Sequence, residues 1–283
     1  MLSILIPTYD CTCYKLVYDL HEQAEALGIP YEIIVAEDGS RSPVNMIANH
    51  KICELSHCQH IQRKENVGRA VIRNFLIGTA KGDVLLMMDA DGKVVREDFL
   101  AKYWEAGKAH DVVCGGIKTP DVWYNPERML RWKYEKAYER KHGCISEQFR
   151  SFCFLITRRV SEKVKFDERY QTYGYEDVQY GQDLEAAGFK VHCIDNPLEN
   201  TDIETNEVFL KKTEEALRTA HQFQKEIGDS VIVSSTYHRY QAFGWAMRLL
   251  FHLFKKPMRR NLLSANPSLF LFSLYKLGYY STL

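Results

Sequence analysis

The chain has 283 residues, 46% hydrophobic, 26% charged and 12% aromatic, a globular composition with too much apolar material for a disordered chain. Lys plus Arg and Asp plus Glu number 37 each, so the chain lacks the net basic charge of a nucleic-acid binder, and no nucleic-acid partner is expected. The balance hides a split: from Ser230 onward there are seven Lys/Arg (Arg239, Arg248, Lys255, Lys256, Arg259, Arg260, Lys276) and no Asp or Glu, which leaves −7 on residues 1–229.

The opening residues Met1 to Pro7 show no basic segment ahead of an apolar run, and no stretch reaches the ~18 apolar residues of a membrane-spanning helix. The expected location is the cytoplasm. The eight cysteines (Cys11, Cys13, Cys53, Cys58, Cys114, Cys144, Cys153, Cys193) are scattered and read as free thiols in a reducing compartment. Cys53 and Cys58, with His57 and His60 nearby, lack the paired CxxC knuckles of a structural zinc site, as do Cys11 and Cys13.

Residues 1–115 repeat one pattern. Apolar runs at 2–6, 31–36, 60–63, 84–88 and 111–114 alternate with amphipathic stretches at 14–27, 43–55, 68–80 and 97–109. Continuous apolar strands between helices predict a parallel sheet covered on both faces. Right-handed crossovers then bring the strand C-termini to one edge, where ligands bind. The residues just past the runs are Pro7-Thr8-Tyr9-Asp10, Glu37-Asp38-Gly39-Ser40, Asn66-Val67-Gly68-Arg69 and Asp89-Ala90-Asp91-Gly92, all polar and three with carboxylates. After Gly116 an aromatic-rich helix is predicted at 126–141, a strand at 152–156, a helix at 178–187 opened by Tyr173-Gly174-Tyr175-Glu176-Asp177, a final strand at 190–194 and an outer polar helix at 204–225.

Asp89 and Asp91, one residue apart at the end of an apolar run, can share a hard divalent cation, Mg2+ or Mn2+, together with the diphosphate bound to it. Arg69 and Arg73 are placed to meet phosphate. A cation there would stabilise negative charge building on the phosphates. A further carboxylate could take a proton from a reacting group. Asp177, at a predicted helix start, sits where the charged form is favoured.

Together these residues resemble the family-2 inverting glycosyltransferases of GT-A fold. The match is carried by Ser3-Ile4-Leu5-Ile6-Pro7-Thr8-Tyr9, Glu37-Asp38-Gly39-Ser40, the 66–74 segment from Asn66 to Asn74, Asp89-Ala90-Asp91 and Tyr173-Gly174-Tyr175-Glu176-Asp177, in family order, and covers roughly residues 1–200. The resemblance implies an α/β, GT-A architecture: a mostly parallel, Rossmann-like sheet with helices on both faces, plus a helical C-terminal extension. It implies that Pro7, Thr8 and Tyr9 form the first nucleotide-contacting turn. Asp38 would bond the base, typically uracil N3–H, with Glu37 and Ser40 beside it. Asn66, Gly68, Arg69 and Arg73 would lie along the nucleotide; Asp89 and Ala90 would line the donor, and Asp91, with Asp89, would hold the metal. Asp177 would be the general base and Glu176 would help bind the acceptor. The family often has a His past the last strand. Here Pro197-Leu198-Glu199-Asn200-Thr201-Asp202 lacks it, so no third protein ligand is implied.

The resemblance implies a nucleotide-diphospho-sugar donor, a UDP-sugar in the family pattern, and a glycan or lipid-linked saccharide as acceptor. A nucleotidyltransferase would want a Gly-rich basic loop after the first strand, and a dinucleotide-dependent oxidoreductase a GxGxxG there; neither is present. A non-catalytic nucleotide- or sugar-binding protein is disfavoured by Asp91 and Asp177. Expected domains are 1–200, catalytic (1–116 for the nucleotide sugar, 117–200 for the acceptor), 201–229, a packing helix, and 230–283, a basic amphipathic tail. In the tail Arg248, His252, Lys255 and Lys256 share one helical face, with Phe243, Trp245, Leu249, Leu250, Leu253 and Phe254 over most of the rest. Such a helix can lie in an anionic membrane surface, making the enzyme peripheral on the inner face of the cell membrane. The other reading packs it on the catalytic domain.

Overall fold

The computed structural model describes residues 1–142 and 149–283; the expectation of a free thiol at Cys144 lies outside them. The chain runs through β1 (Leu2–Thr8), α1 (Tyr14–Leu27), β2 (Tyr31–Glu37), α2 (Pro43–His50), β3 (Cys58–Gln62), α3 (Arg69–Thr79), β4 (Val84–Met88), β5 (Gly92–Lys93), α4 (Phe99–Ala109), β6 (Val112–Cys114) and β7 (Ile117–Lys118). It continues with α5 (Met129–His142), β8 (Cys153–Thr157), α6 (Arg158–Ser161), α7 (Glu176–Ala186), β9 (Val191–Cys193), β10 (Leu198–Asn200), α8 (Asn206–Gln222), α9 (Gln224–Ile227), α10 (Ile232–Arg239), α11 (Gly244–Leu262) and α12 (Leu269–Tyr280).

It divides into two units. The first comprises Met1–Lys118, His142–Gln171 and Tyr180–Asp202; the second comprises Thr119–Lys141, Thr172–Gln179 and Ile203–Leu283. In the first unit seven strands form a sheet in the order β3-β2-β1-β4-β8-β6-β9. Strands β3, β2, β1 and β4 are parallel. Alternate residues of these strands point to opposite faces, and both faces are covered. Ile4, Ile6, Ile33 and Val35 pack with Leu16, Val17 and Leu20 of α1, while Leu5, Ile34 and Met87 pack with Ile72 and Leu76 of α3. Hence β1, β2 and β4 read as mostly apolar runs.

The sheet is mostly parallel, as expected, with β8 running antiparallel to both β4 and β6; a buried apolar strand carries no sign of its direction. The 190–194 strand is not the last. β10 follows it and joins β5 and β7 in a small three-stranded sheet, too short at three residues to leave a periodic signature.

The second unit is helical. Leu130, Phe209, Leu210, Phe251, Leu262, Phe272 and Tyr275 form its core. The 14-residue α5, α8 and the hairpin of α11 and α12 thus share one apolar centre. Helix α11 runs through Pro257 to Leu262. Pro257 is exposed, where the carbonyl that loses its N–H partner is open to solvent. Among the described residues no helix is long and apolar enough to cross a membrane.

Candidate active site

In the first unit the parallel strands deliver four loops to one sheet edge. After β1, Thr8 is buried and its hydroxyl donates to the Cys11 carbonyl at 3.0 Å. The Thr8 carbonyl accepts from the Asp38 N–H at 2.8 Å, which ties the first loop to the second. Tyr9 stands out, 45% exposed. Asp10 takes a left-handed φ of 49° and its Oδ1 accepts from the N–H groups of Arg41 and Ser42 at 2.6 and 2.7 Å.

The two acidic residues after β2 do different work. Glu37 is fully buried. Its Oε1 accepts from Asn49 Nδ2 at 2.9 Å and meets His60 Nε2 at 3.0 Å, and Ser40 Oγ donates to its Oε2. Burial pushes the Glu37 carboxyl up, but the bonds from His60, Asn49 and Ser40 outweigh it and hold the carboxyl below its ordinary value. Asn49 Nδ2 also donates to the Cys11 carbonyl at 2.9 Å, and its Oδ1 accepts from the Cys13 N–H at 2.9 Å. Glu37 and Ser40 are therefore braces under the first loop. Asp38 accepts from the N–H groups of Val67 and Gly68, one on each oxygen, at 3.0 and 3.1 Å. Burial raises its carboxyl, with those two bonds and Arg63 pulling the other way. Each oxygen retains a further lone pair for a ligand. Gly39, at φ 69°, is required here, because a Cβ would lie 2.3 Å from the Asn66 nitrogen.

Helix α3 points two arginines at the Asp89 carboxylate. Arg73, 1% exposed, donates from Nη2 to Asp89 Oδ1 at 3.0 Å, with its guanidinium 5.4 Å from the Phe166 ring centre. Arg69 approaches Asp89 Oδ2 at 3.7 Å and is the exposed one of the pair. Asn66 is exposed, Gly68 half-buried and Ala90 buried. The Asp91 carbonyl accepts from the N–H and the hydroxyl of Thr201, at 3.0 and 2.8 Å. This fastens the turn after β4 to the segment after β10.

The Asp91 carboxyl is pushed up to about 7, first by burial and then by the charge of Asp89; Arg69 opposes and Asp202 adds to the rise. Two hard oxygen donors that disfavour each other's charge are the donor set a divalent cation relieves. Asp89 and Asp91 therefore fit Mg2+ or Mn2+. Among the described residues no group of three or more His, Cys, Asp or Glu could form a metal cage, so phosphate and water oxygens would complete the shell. Asp202 and Thr201 were not singled out from the sequence; the position of both at the end of β10 is the signal, hidden with that strand. An open cleft of about 650 Å³ beside α1 and residues 93–97 contains none of these groups.

Glu176 and Asp177 belong to the second unit, in the first turn of α7. Asp177 Oδ1 accepts from the Val178 N–H at 2.9 Å, and Glu176 is buried. Helix α8 holds the loop ahead of them. Glu215 Oε1 accepts from the Tyr173 N–H at 3.1 Å, and Thr219 Oγ1 donates to the Tyr173 carbonyl at 3.1 Å. Gly174 and Tyr175 both have positive φ, 103° and 66°, and a Cβ on Gly174 would lie 2.7 Å from that of Ala216. Thus α8, read from the sequence as an outer helix, fixes the candidate base loop through Glu215, Ala216 and Thr219.

The sequence profile described as Glycosyl transferase family 2 matches residues 3–164. The chain belongs to glycosyl transferase family 2. It is a glycosyltransferase, and its mixed α/β sheet is that of the GT-A fold. Staphylococcus aureus TarS 1-349 in complex with UDP superimposes with a TM-score of 0.53 at 15% identity, covering 99% of this chain and 89% of that one. The mannosyltransferase PcManGT from Pyrobaculum calidifontis, in complex with GDP-Man and Mn2+, gives 0.54 at 14% identity, covering 99% and 84%. At such identities the likeness is one of fold. The chain spans 38% of the longer TarS structure. No curated protein is similar enough in sequence to add to this.

Proposed function

We propose that this family-2 enzyme moves a sugar from a nucleotide-diphospho-sugar, a UDP-sugar, to a hydroxyl of a glycan or lipid-linked saccharide at the inner membrane face, with inversion at the anomeric carbon. The observation that carries the reading is the carboxylate pair Asp89 and Asp91 at the end of β4, with Arg73 and Arg69 against Asp89. Pro7, Thr8 and Tyr9 would flank the base, and Asp38 would accept from it. Gly68 and Asn66 would follow the nucleotide, and Arg69, the more exposed arginine, would reach the phosphates. Arg73 and Glu37 would act one step removed, the first orienting Asp89 and the second supporting the first loop.

Asp91 and Asp89 would hold Mg2+ or Mn2+, which when bound supplies positive charge to the departing diphosphate. Asp177 takes the proton from the acceptor hydroxyl as its oxygen attacks the anomeric carbon. The bond from that carbon to the phosphate oxygen breaks, and the electron pair leaves with the nucleoside diphosphate. Glu176 helps bind the acceptor. A mannosyltransferase of similar fold is seen in complex with GDP-Man and Mn2+, and TarS in complex with UDP, which supports a nucleotide-sugar donor. A thermal-shift screen of UDP- and GDP-sugars with and without Mn2+ tests the reading. A Mn2+-dependent rise with a UDP-sugar is expected; a screen in which no nucleotide sugar or diphosphate raises the melting temperature would overturn it.

A further inference from the structure

Helix α11 is sorted by the fold into two faces. Gly244, Phe251 and Leu262 are buried, and Met258 packs on the same core. Trp245, Leu249, Leu253, Lys256 and Arg260 follow one another by four, four, three and four residues, which is one stripe of a helix. All five are exposed, Trp245 at 73% and Leu253 at 64%. Leu250, at 54%, flanks the stripe, and Phe270 of α12 is exposed as well. Large side chains turned to water in this density mark a contact surface.

The cations of the tail divide in the same way. Arg248 donates from Nε and Nη2 to the Ser281 carbonyl at 3.0 and 2.8 Å. Arg259 pairs with Glu207 at 3.5 Å. Lys255 lies over the Phe251 and Tyr279 rings, and Lys276 over those of Tyr134 and Phe272. These four serve the helical unit itself. Lys256 and Arg260 instead continue the outward apolar stripe. The four-cation face expected from sequence spacing is therefore divided: Arg248 and Lys255 engage partners within the unit, while His252 and Lys256 are exposed.

We propose that the outward stripe of α11 is a membrane-docking face, in which Trp245, Leu249 and Leu253 enter the headgroup boundary and Lys256 and Arg260 meet anionic lipid. Charge selects this occupant. The stripe carries Lys256 and Arg260 and no acid, so a second copy laid on the same face would set cations against cations. An anionic leaflet attracts them and accepts the apolar stripe at once. Because no described helix can cross a bilayer, the helix lies on the surface. Delivery to a lipid-linked acceptor rests on the proposed function; the binding itself does not.

The test is co-sedimentation of the full chain with vesicles of phosphatidylcholine alone or with phosphatidylglycerol added. Binding to the anionic vesicles only, weakened by salt, is expected. Lys256→Glu with Arg260→Glu should lower it by roughly tenfold or more, and Trp245→Ser with Leu249→Ser and Leu253→Ser should abolish it. UDP with Mn2+ run on each variant reports folding and donor binding separately, so failure of the donor reading and failure of the docking reading are distinguishable. A full chain that ignores anionic vesicles at low salt overturns the proposal. So does binding that survives both variants, or a stripe whose substitution dissociates a dimer while vesicles are never bound.

Discussion

Glu37 is a charge placed where no water reaches it, and it is tolerated because three side chains bond to it. Replacing it with Gln removes the charge that His60 and Asn49 address, at an expected cost on the order of 1–3 kcal/mol near neutral pH. Its folded carboxyl sits below its ordinary value, so the native state binds fewer protons than the unfolded chain. The contribution is complete above the unfolded value of about 4.3 and is lost as pH falls through the folded one. Melting curves of wild type and Glu37→Gln should therefore converge as pH drops below about 4; a constant gap would mean that the charge is not what stabilises. At the proposed metal pair, Asp91→Asn would remove an acidic ligand. The Mn2+-dependent part of the melting shift with UDP should vanish, and an unchanged shift would exclude Asp91 from the metal.

At the scale of elements, α8 and the 173–177 loop are the least sequence-evident partnership. Gly174 has both a positive φ and no room for a methyl group against Ala216. Gly174→Ala should cost about 1–3 kcal/mol from backbone strain alone and displace the loop that begins α7. Turnover should fall while UDP with Mn2+ still raises the melting temperature. Normal turnover in a folded variant would show that the loop's position does not matter to the chemistry. Helix α2 offers a simpler case. Ser42 Oγ accepts from the Asn45 N–H and Pro43 occupies the first turn, so Ser42→Ala should lose about 1 kcal/mol in urea unfolding.

For the molecule as a whole, the donor-contact candidates and the candidate base belong to different compact units. Binding and turnover should therefore separate by mutation. Asp177→Asn should keep its UDP–Mn2+ melting shift and lose turnover by at least ~10²-fold, the lower end for a positioned general base. A variant that instead loses nucleotide affinity but transfers sugar normally at saturation would reassign Asp177 to the donor side.

The parallel half of the sheet and the strand-end positions of Asp89 and Asp91 were legible in the residues, because buried parallel strands leave long apolar runs and this pair follows one directly; the helix start at Glu176 and Asp177 was legible to within two residues. Local pattern determined that much. It could not separate Glu37 from Asp38, adjacent acids on one turn; only the positions of Asn49 and His60, 12 and 23 residues on, decide that the first is a brace. It could not tell that Arg73 is spent on Asp89, that β8 is reversed or that β10 exists, since strand direction and three-residue pairings depend on distant partners. Nor could it choose which face of α11 looks outward. Ser281 and Tyr279, brought alongside by the hairpin with α12, engage Arg248 and Lys255, and Lys255 also lies over Phe251 of its own helix. Side chains of long reach follow the nearest partner, and which partner is nearest is settled by tertiary packing.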